Sequence, residues 1–155
     1  MKVVAGLCVL WVSGCIAMAP IESPVDPPPS ARDEVEVFAR LVNAHRKKVG
    51  CKPLTWVGPV AVIAQRHSED MFNYGFFGHT NHLGQSPFDR LQSAGIRYRI
   101  AAENVASGQT NAEQVLQSWL NSRGHRRNIE DCELLQHGVG LSNNRWTHVF
   151  VTLVR

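Results

Sequence analysis

From Ser30 onward, apolar residues return at Val35, Phe38, Leu41, Val42 and Val49, the spacing that lays one stripe along a helix. Ser30 with Asp33 three residues later predicts an N-cap with an acidic third position, and Gly50 predicts the stop. A second helix is predicted from about Pro59 to Tyr74, with Val60, Ile63, Ala64, His67, Met71 and Tyr74 inward, broken by Gly75 and Gly78. Ser86-Pro87 opens a short third helix, proline being well placed in a first turn, and Gly95 closes it. Arg97 to Asn104 reads as extended. Thr110 and Glu113 form a capping box for a fourth helix that turns Ala112, Val115, Leu116 and Trp119 inward. Past a loop at His125, Gly138-Val139-Gly140-Leu141 and Arg145 to Val154 read as two strands. Asn143-Asn144 between them suits a tight hairpin, because asparagine tolerates left-handed backbone angles. Helices fill the first two thirds and strands the last, which indicates an α+β fold.

The stretch before Ser30 obeys other rules. Lys2 precedes an apolar run from Val3 to Val12, too short for the roughly 20 apolar residues of a membrane-spanning helix. It ends in Val12-Ser13-Gly14-Cys15, which looks like a bacterial lipobox. Residues 1–14 are therefore expected to be a lipoprotein signal peptide, and Cys15 the lipidated N-terminus. The other reading is an ordinary signal peptide cut near Ala17-Met18-Ala19. Ile16 rather than aspartate follows the cysteine, and by resemblance to lipoproteins of diderm bacteria this favours the outer membrane. Residues 15–32 carry Pro20, Pro24, Pro27, Pro28 and Pro29 without apolar periodicity, the composition of a semi-rigid solvated linker. Residues 33–155 then make a single domain. The expected location is the cell envelope, with the domain lipid-anchored and facing the periplasm or exterior.

Charge narrows the partners. The net charge is +3, and Arg123, His125, Arg126 and Arg127 form the one dense basic cluster, followed at once by Glu130, Asp131 and Glu133. A nucleic-acid binder needs a broad basic face, so that class is excluded. The expected partners are a membrane through the lipid anchor and peptidoglycan or lipid as ligand, with the domain a monomer. Cys51 and Cys132 remain after Cys8 is removed and Cys15 lipidated, and in an oxidising compartment they have one intramolecular way to pair. Two buried free thiols are the alternative. Neither has the short Cys-x-x-Cys partner typical of zinc sites.

Among the seven histidines, His45 reads as a half-buried packing residue and His67 as a hydrogen-bonded core residue. His82 and His137 read as solvated. His79 is different, because it follows a glycine in a polar loop where an imidazole can bind metal or move protons near neutral pH. Glu103 sits in the apolar segment Ile100 to Val105, where a carboxylate is costly unless partnered. Contact among His79, Glu103 and His125 would relieve that cost, with Glu103 shared by the two imidazoles. Asp89 and Arg90 read as loop braces.

Phe76-Phe77-Gly78-His79-Thr80, Ser86-Pro87-Phe88-Asp89-Arg90-Leu91, Ala102-Glu103-Asn104 and Ser118 to Ile129 occur in an order with one close parallel. Together they resemble the bacterial branch of the CAP superfamily (cysteine-rich secretory proteins, antigen 5, pathogenesis-related 1; SCP domain), over about Val35 to Val154. The resemblance implies a three-layer α-β-α sandwich. In eukaryotic members, two His and two Glu line a central cavity, and some bind a divalent metal there. His79 matches the first His and Glu103 the Glu of the Gly-Glu-Asn motif, although Ala102 replaces the glycine. The second Glu would fall near Ser122 and the second His near Arg145. His148, three positions on, faces the opposite way, because strand side chains alternate. The bacterial pattern puts His125 into the cavity instead.

The implied cleft is thus His79, Glu103 and His125, with Ser122 nearby. It requires no cofactor, though two His and a carboxylate suit a divalent metal such as zinc; a purely structural polar network is the other reading. The implied function is an envelope-anchored domain that binds cell-wall peptide, glycan or lipid. The alternative is a hydrolase of peptide or peptidoglycan, using a metal-bound water or a Ser122–His125 pair. No Gly-x-Ser-x-Gly elbow marks a nucleophile, so enzyme activity stays open.

Overall fold

The computed structural model describes residues 30–154. The expected signal peptide (residues 1–14), the lipidated Cys15 and nearly all of the linker (residues 15–32) lie outside the described residues. The elements run α1 (Ala31–Lys48), β1 (Thr55–Trp56), α2 (Gly58–Asn73), α3 (Pro87–Ser93), β2 (Tyr98–Ser107), α4 (Ala112–Asn121), α5 (Arg123–Glu130), β3 (Gln136–Ser142) and β4 (Arg145–Leu153). The sheet order is β1-β3-β4-β2, with β1 parallel to β3 and the other pairs antiparallel. Residues of α1, α4 and α5 pack with Trp146 and Phe150 on one face. Residues of α2 and α3 pack with Val149 and Val151 on the other. This is the three-layer α-β-α sandwich.

Local chemistry sets the helix starts. Ser30 and Asp33 close a capping box at α1, and Ser86 and Asp89 repeat it at α3. In α4, Ala112, Val115, Leu116 and Trp119 are all buried, as their spacing predicts. Its cap is Asn111, whose side chain accepts from the Gln114 amide, rather than Thr110. Thr110 instead turns its hydroxyl and amide to the Gln114 side chain. Val49 and Tyr74 do not face inward, being 45% and 59% exposed at the helix ends. The strand expected over Arg97–Asn104 runs on to Ser107 along β4. The His125 segment is not a loop but the helix α5. Asn143 and Asn144 take the left-handed conformation in the β3–β4 hairpin, with φ of 44° and 59°.

Close approach determines how α2 lies. Gly138 and Gly140 of β3 face α2, and a Cβ at either position would collide with the backbone of Ala61 or Gln65. Without those side chains, Val60, Ile63 and Ala64 settle on the sheet, and His67 and Ser68 come down beside it.

On the other face, one arginine occupies the inward stripe of α1. Arg46 is fully buried and donates to four carbonyls: Lys52 (3.0 Å), Ile129 (2.7 Å), Asp131 (2.9 Å) and Leu134 (2.8 Å). Its charge sits at the C-terminal end of α5, where a helix favours cations. Beside it, Cys51 and Cys132 are disulfide-bonded, with a Cα separation of 5.0 Å. The bridge joins the turn after α1 to the segment after α5.

His137, expected to be solvated, is 1% exposed. Its Nδ1 lies 3.0 Å from Nε2 of His148, which is fully buried among Phe38, Trp119 and Phe150. Burial pushes His137 down to about 4, with Arg46 adding a repulsive charge. His148 lies well below the usual histidine range, for burial first and then the charges of His137 and Arg46. Both are neutral near pH 7. His82, likewise expected to be solvated, instead pairs with Asp70 at 3.3 Å and stacks on Tyr74 at 3.7 Å.

Candidate functional site

Glu103 and Asn104 are consecutive on β2, so they face opposite layers of the sandwich. Glu103 faces α2 and α3. Its side chain is 2% exposed and holds Arg90 Nη2 at 2.6 Å through Oε2 and His79 Nδ1 at 2.9 Å through Oε1. A carboxylate only accepts, so His79 donates from Nδ1 and keeps Nε2 as a free acceptor when neutral. Arg90 also donates to the carbonyls of His79 (2.8 Å) and Gln85 (3.0 Å), which clamps the 75–86 loop over the carboxylate. The result is a fixed imidazole whose side chain remains 51% exposed.

Asn104 serves the other layer. It is fully buried, donates to the His125 carbonyl at 3.0 Å and accepts from Asn128 at 2.8 Å. Both contacts dock α5 against β2. His125 is half-buried with its ring 6.3 Å from that of Trp119. Burial lowers its pKa, and the charge of nearby His79 lowers it further. A cavity of about 420 Å³ beside it is lined by Phe77, Val105, Ser107, Ser118 and Trp119. Phe77 is 58% exposed and contributes an apolar wall.

The structure thus joins His79 to Glu103 and brings His125 close from the opposite helical layer. His125 makes no hydrogen bond to Glu103. The second imidazole beside Glu103 is His67, 4.0 Å away and fully buried, with Nε2 2.8 Å from the Gly78 carbonyl. That carbonyl places the proton on Nε2, and burial lowers the pKa of His67 despite the opposing pull of Glu103. Ser122 ends α4 and begins α5, and its side chain makes no capping hydrogen bond.

A zinc set of His79, His125 and Glu103 does not fit this arrangement. Both Glu103 oxygens are committed to His79 and Arg90, and Asn104 holds the His125 segment in the other layer. Among the described residues, no three His, Cys, Asp or Glu side chains are grouped to hold a metal ion. The sequence marks Arg90 as a loop brace, which it is, but does not reveal it as the main partner of Glu103. Nor does it single out Asn104 and Asn128. The available signal is the Glu-Asn dipeptide itself, since alternation in a strand sends the two side chains to different layers.

Known proteins share this family sequence and fold. Residues 39–154 match the cysteine-rich secretory protein (CAP) family. The chain is 41% identical over 113 residues to the uncharacterized protein YkwD of Bacillus subtilis, covering 72% of this chain and 44% of that one. It is 33% identical over 111 residues to the uncharacterized membrane protein YlbC of the same species, covering 72% and 32%. This chain therefore spans under half the length of either relative. Among solved structures, an extracellular protein containing an SCP domain from Bacillus anthracis superposes with a TM-score of 0.76 at 28% identity, covering 84% of this chain and 45% of that one. An outer surface protein of Borrelia burgdorferi shares the fold, with a TM-score of 0.74 at 18% identity and coverage of 81% and 97%. With the sandwich and the matched segment in agreement, the chain belongs to the CAP family.

Proposed function

We propose that this CAP domain is an exported, envelope-anchored binding module, with cell-wall peptide or glycan seated on the face formed by His79, His125 and Phe77. One observation carries the reading: a half-exposed imidazole is locked by a buried carboxylate, leaving Nε2 as a fixed acceptor when the ring is neutral. Preorganised acceptors of this kind bind O–H and N–H groups without an ordering cost. The cavity beside His125 supplies shape. A lipid ligand is less well served, because that cavity is walled by polar Ser107 and Ser118 as well as Phe77. The oriented imidazole also has what a general base needs, which keeps hydrolysis as the second reading.

Soluble muropeptide titrated calorimetrically is the test. His79→Ala should weaken binding at least tenfold, about 1.4 kcal/mol, with little change in melting temperature. Glu103→Gln should weaken binding and also destabilise by about 3 kcal/mol, because it leaves the Arg90 guanidinium buried without its counter-charge. Unchanged binding in both variants would reject the reading, whatever the stability.

Anchoring rests on Val12-Ser13-Gly14-Cys15, and is supported by the extracellular and membrane descriptions of the relatives and by the Cys51–Cys132 bridge. Intact mass of the membrane-extracted protein should show an acylated Cys15 as the first residue. Cys15→Ala should leave the membrane fraction or stall as precursor. An unlipidated N-terminus beyond Cys15 would end the proposal.

A further inference from the structure

We propose that the groove around Trp56, at the β1 edge of the sheet, is a second binding site that takes an acidic saccharide. This edge is at the opposite end of the sheet from β2 and its Glu103, so the site is independent of the His79 face.

Trp119 and Trp146 are 1% and 0% exposed, whereas Trp56 is 44% exposed. Two cavities of about 390 and 450 Å³ flank it and share Ala39, Arg40 and Trp56, which makes them one groove with the indole as its partition. Each volume falls in the range of small-ligand sites. The indole has a defined seat. Trp56 pairs in register with His137, and the imidazole meets the indole edge to face, centroids 5.4 Å apart and planes at 85°. An exposed aromatic fixed from behind is a platform, with large contact area and little side-chain freedom to lose on binding.

The rim sets the ligand's chemistry. Arg40 and Lys47 line the groove and form no ion pair among the described residues. Arg32 has only a loose 3.9 Å contact with the exposed Glu36. The Asn43 amide is spent on the backbone of Leu54. Three cations against one carboxylate therefore face a flat aromatic. A pyranose ring meets that set: its C–H face stacks on the indole, and its ring substituents accept from guanidinium and ammonium groups. A carboxylate on the sugar adds a charge-assisted bond. An acyl chain would leave the cations unused, and a neutral sugar would use only the platform.

The test follows indole N–H signals of the full-length protein by NMR while a disaccharide of N-acetylglucosamine and N-acetylmuramic acid is added. Neutral chitobiose is the control. The Trp56 signal should shift and saturate while those of Trp119 and Trp146 stay still, with chitobiose at least fivefold weaker. Followed instead through the backbone amide signals of Ala39 and Arg40, which line both cavities, Trp56→Ala should lower affinity at least tenfold, and Trp56→Phe should recover part of it. Arg40→Ala with Lys47→Ala should bring the acidic disaccharide down to the chitobiose level. Unmoved Trp119 and Trp146 signals in each variant show that the fold survives. The proposal is overturned if Trp56 does not respond, if Trp56→Ala binds as the parent does, if the two disaccharides bind equally, or if an acidic peptide shifts Trp56 just as well.

Discussion

Replacing Gly140 with alanine is expected to remove cooperative folding near room temperature or to lower the melting point by well over 10 °C, and Gly138→Ala should do the same. At each position the added methyl would sit inside van der Waals contact with main-chain atoms, of Gln65 for Gly140 and of Ala61 for Gly138. A flexible side chain could rotate away, but helix backbone cannot. The helix must lift as a body, which pulls Val60, Ile63 and Ala64 from the core they share with Val149 and Val151. Overpacking against side chains costs about 1–3 kcal/mol, and here the backbone itself must move, so the cost should exceed that range. Domains of this size are stable by only about 5–15 kcal/mol. Thermal melts followed by circular dichroism decide the matter. Gly124→Ala is the matched control, since nothing lies within 4 Å of a Cβ there. A Gly140→Ala protein that melts within two or three degrees of the parent would show that α2 slides freely on β3.

Acid should destabilise the domain steeply through a window where its carboxylates are not yet protonated. His137 titrates at about 4 in the folded protein instead of 6.5, and His148 is also shifted well down. Well above pH 6.5 both are neutral folded or unfolded and pH has no leverage. Between about 6.5 and 4 the unfolded chain takes up protons that the folded one refuses, so stability falls as pH falls. Each proton is worth about 1.4 kcal/mol per pH unit, so the pair gives a slope approaching about 2.8 kcal/mol per unit in the middle of that window. The lowered values of Asp33 and Asp89 act only below it. His67 and His125 are shifted the same way and add to the slope. Urea midpoints measured from pH 7.5 to 4.5 should therefore drop sharply in the parent. They should drop much less in a His137→Phe/His148→Phe double variant, whose remaining slope reports His67 and His125. An equal slope in both proteins would remove the pair from the account.

Helices with a cap and an apolar stripe can be read from the residues, as α1, α3 and α4 show. So can the Asn143-Asn144 hairpin. The helix α5 cannot, because only Ile129 of its residues is fully buried and the others, polar or charged apart from Gly124, form no apolar stripe. Two-residue β1 is too short to carry any period. His137 escapes the reading because β3 is an inner strand packed on both sides, where polar and apolar alternation no longer marks a wet face. At the site, the contact of His79 with Glu103 follows from the cost of burying an unpaired carboxylate. That Arg90 is the closer partner, and His67 rather than His125 the second imidazole, depends on how α2 and α3 lie on the sheet. Those are long-range facts. Nothing within a few residues of Glu103 encodes them.

The Cys51–Cys132 bridge has a mechanical meaning for a domain anchored as proposed above. The two cysteines are 81 residues apart, and His79, Glu103, His125 and Trp56 all lie between them. Tension applied at Ser30 and taken up near the last strand crosses from the turn after α1 to the segment before β3 through covalent sulfur. The intervening loop carries none of the load. Stretching such a molecule strips α1 and the final hairpin first, and with α1 goes the cationic rim of the Trp56 groove, while the segment that bears His79, Glu103 and His125 stays slack.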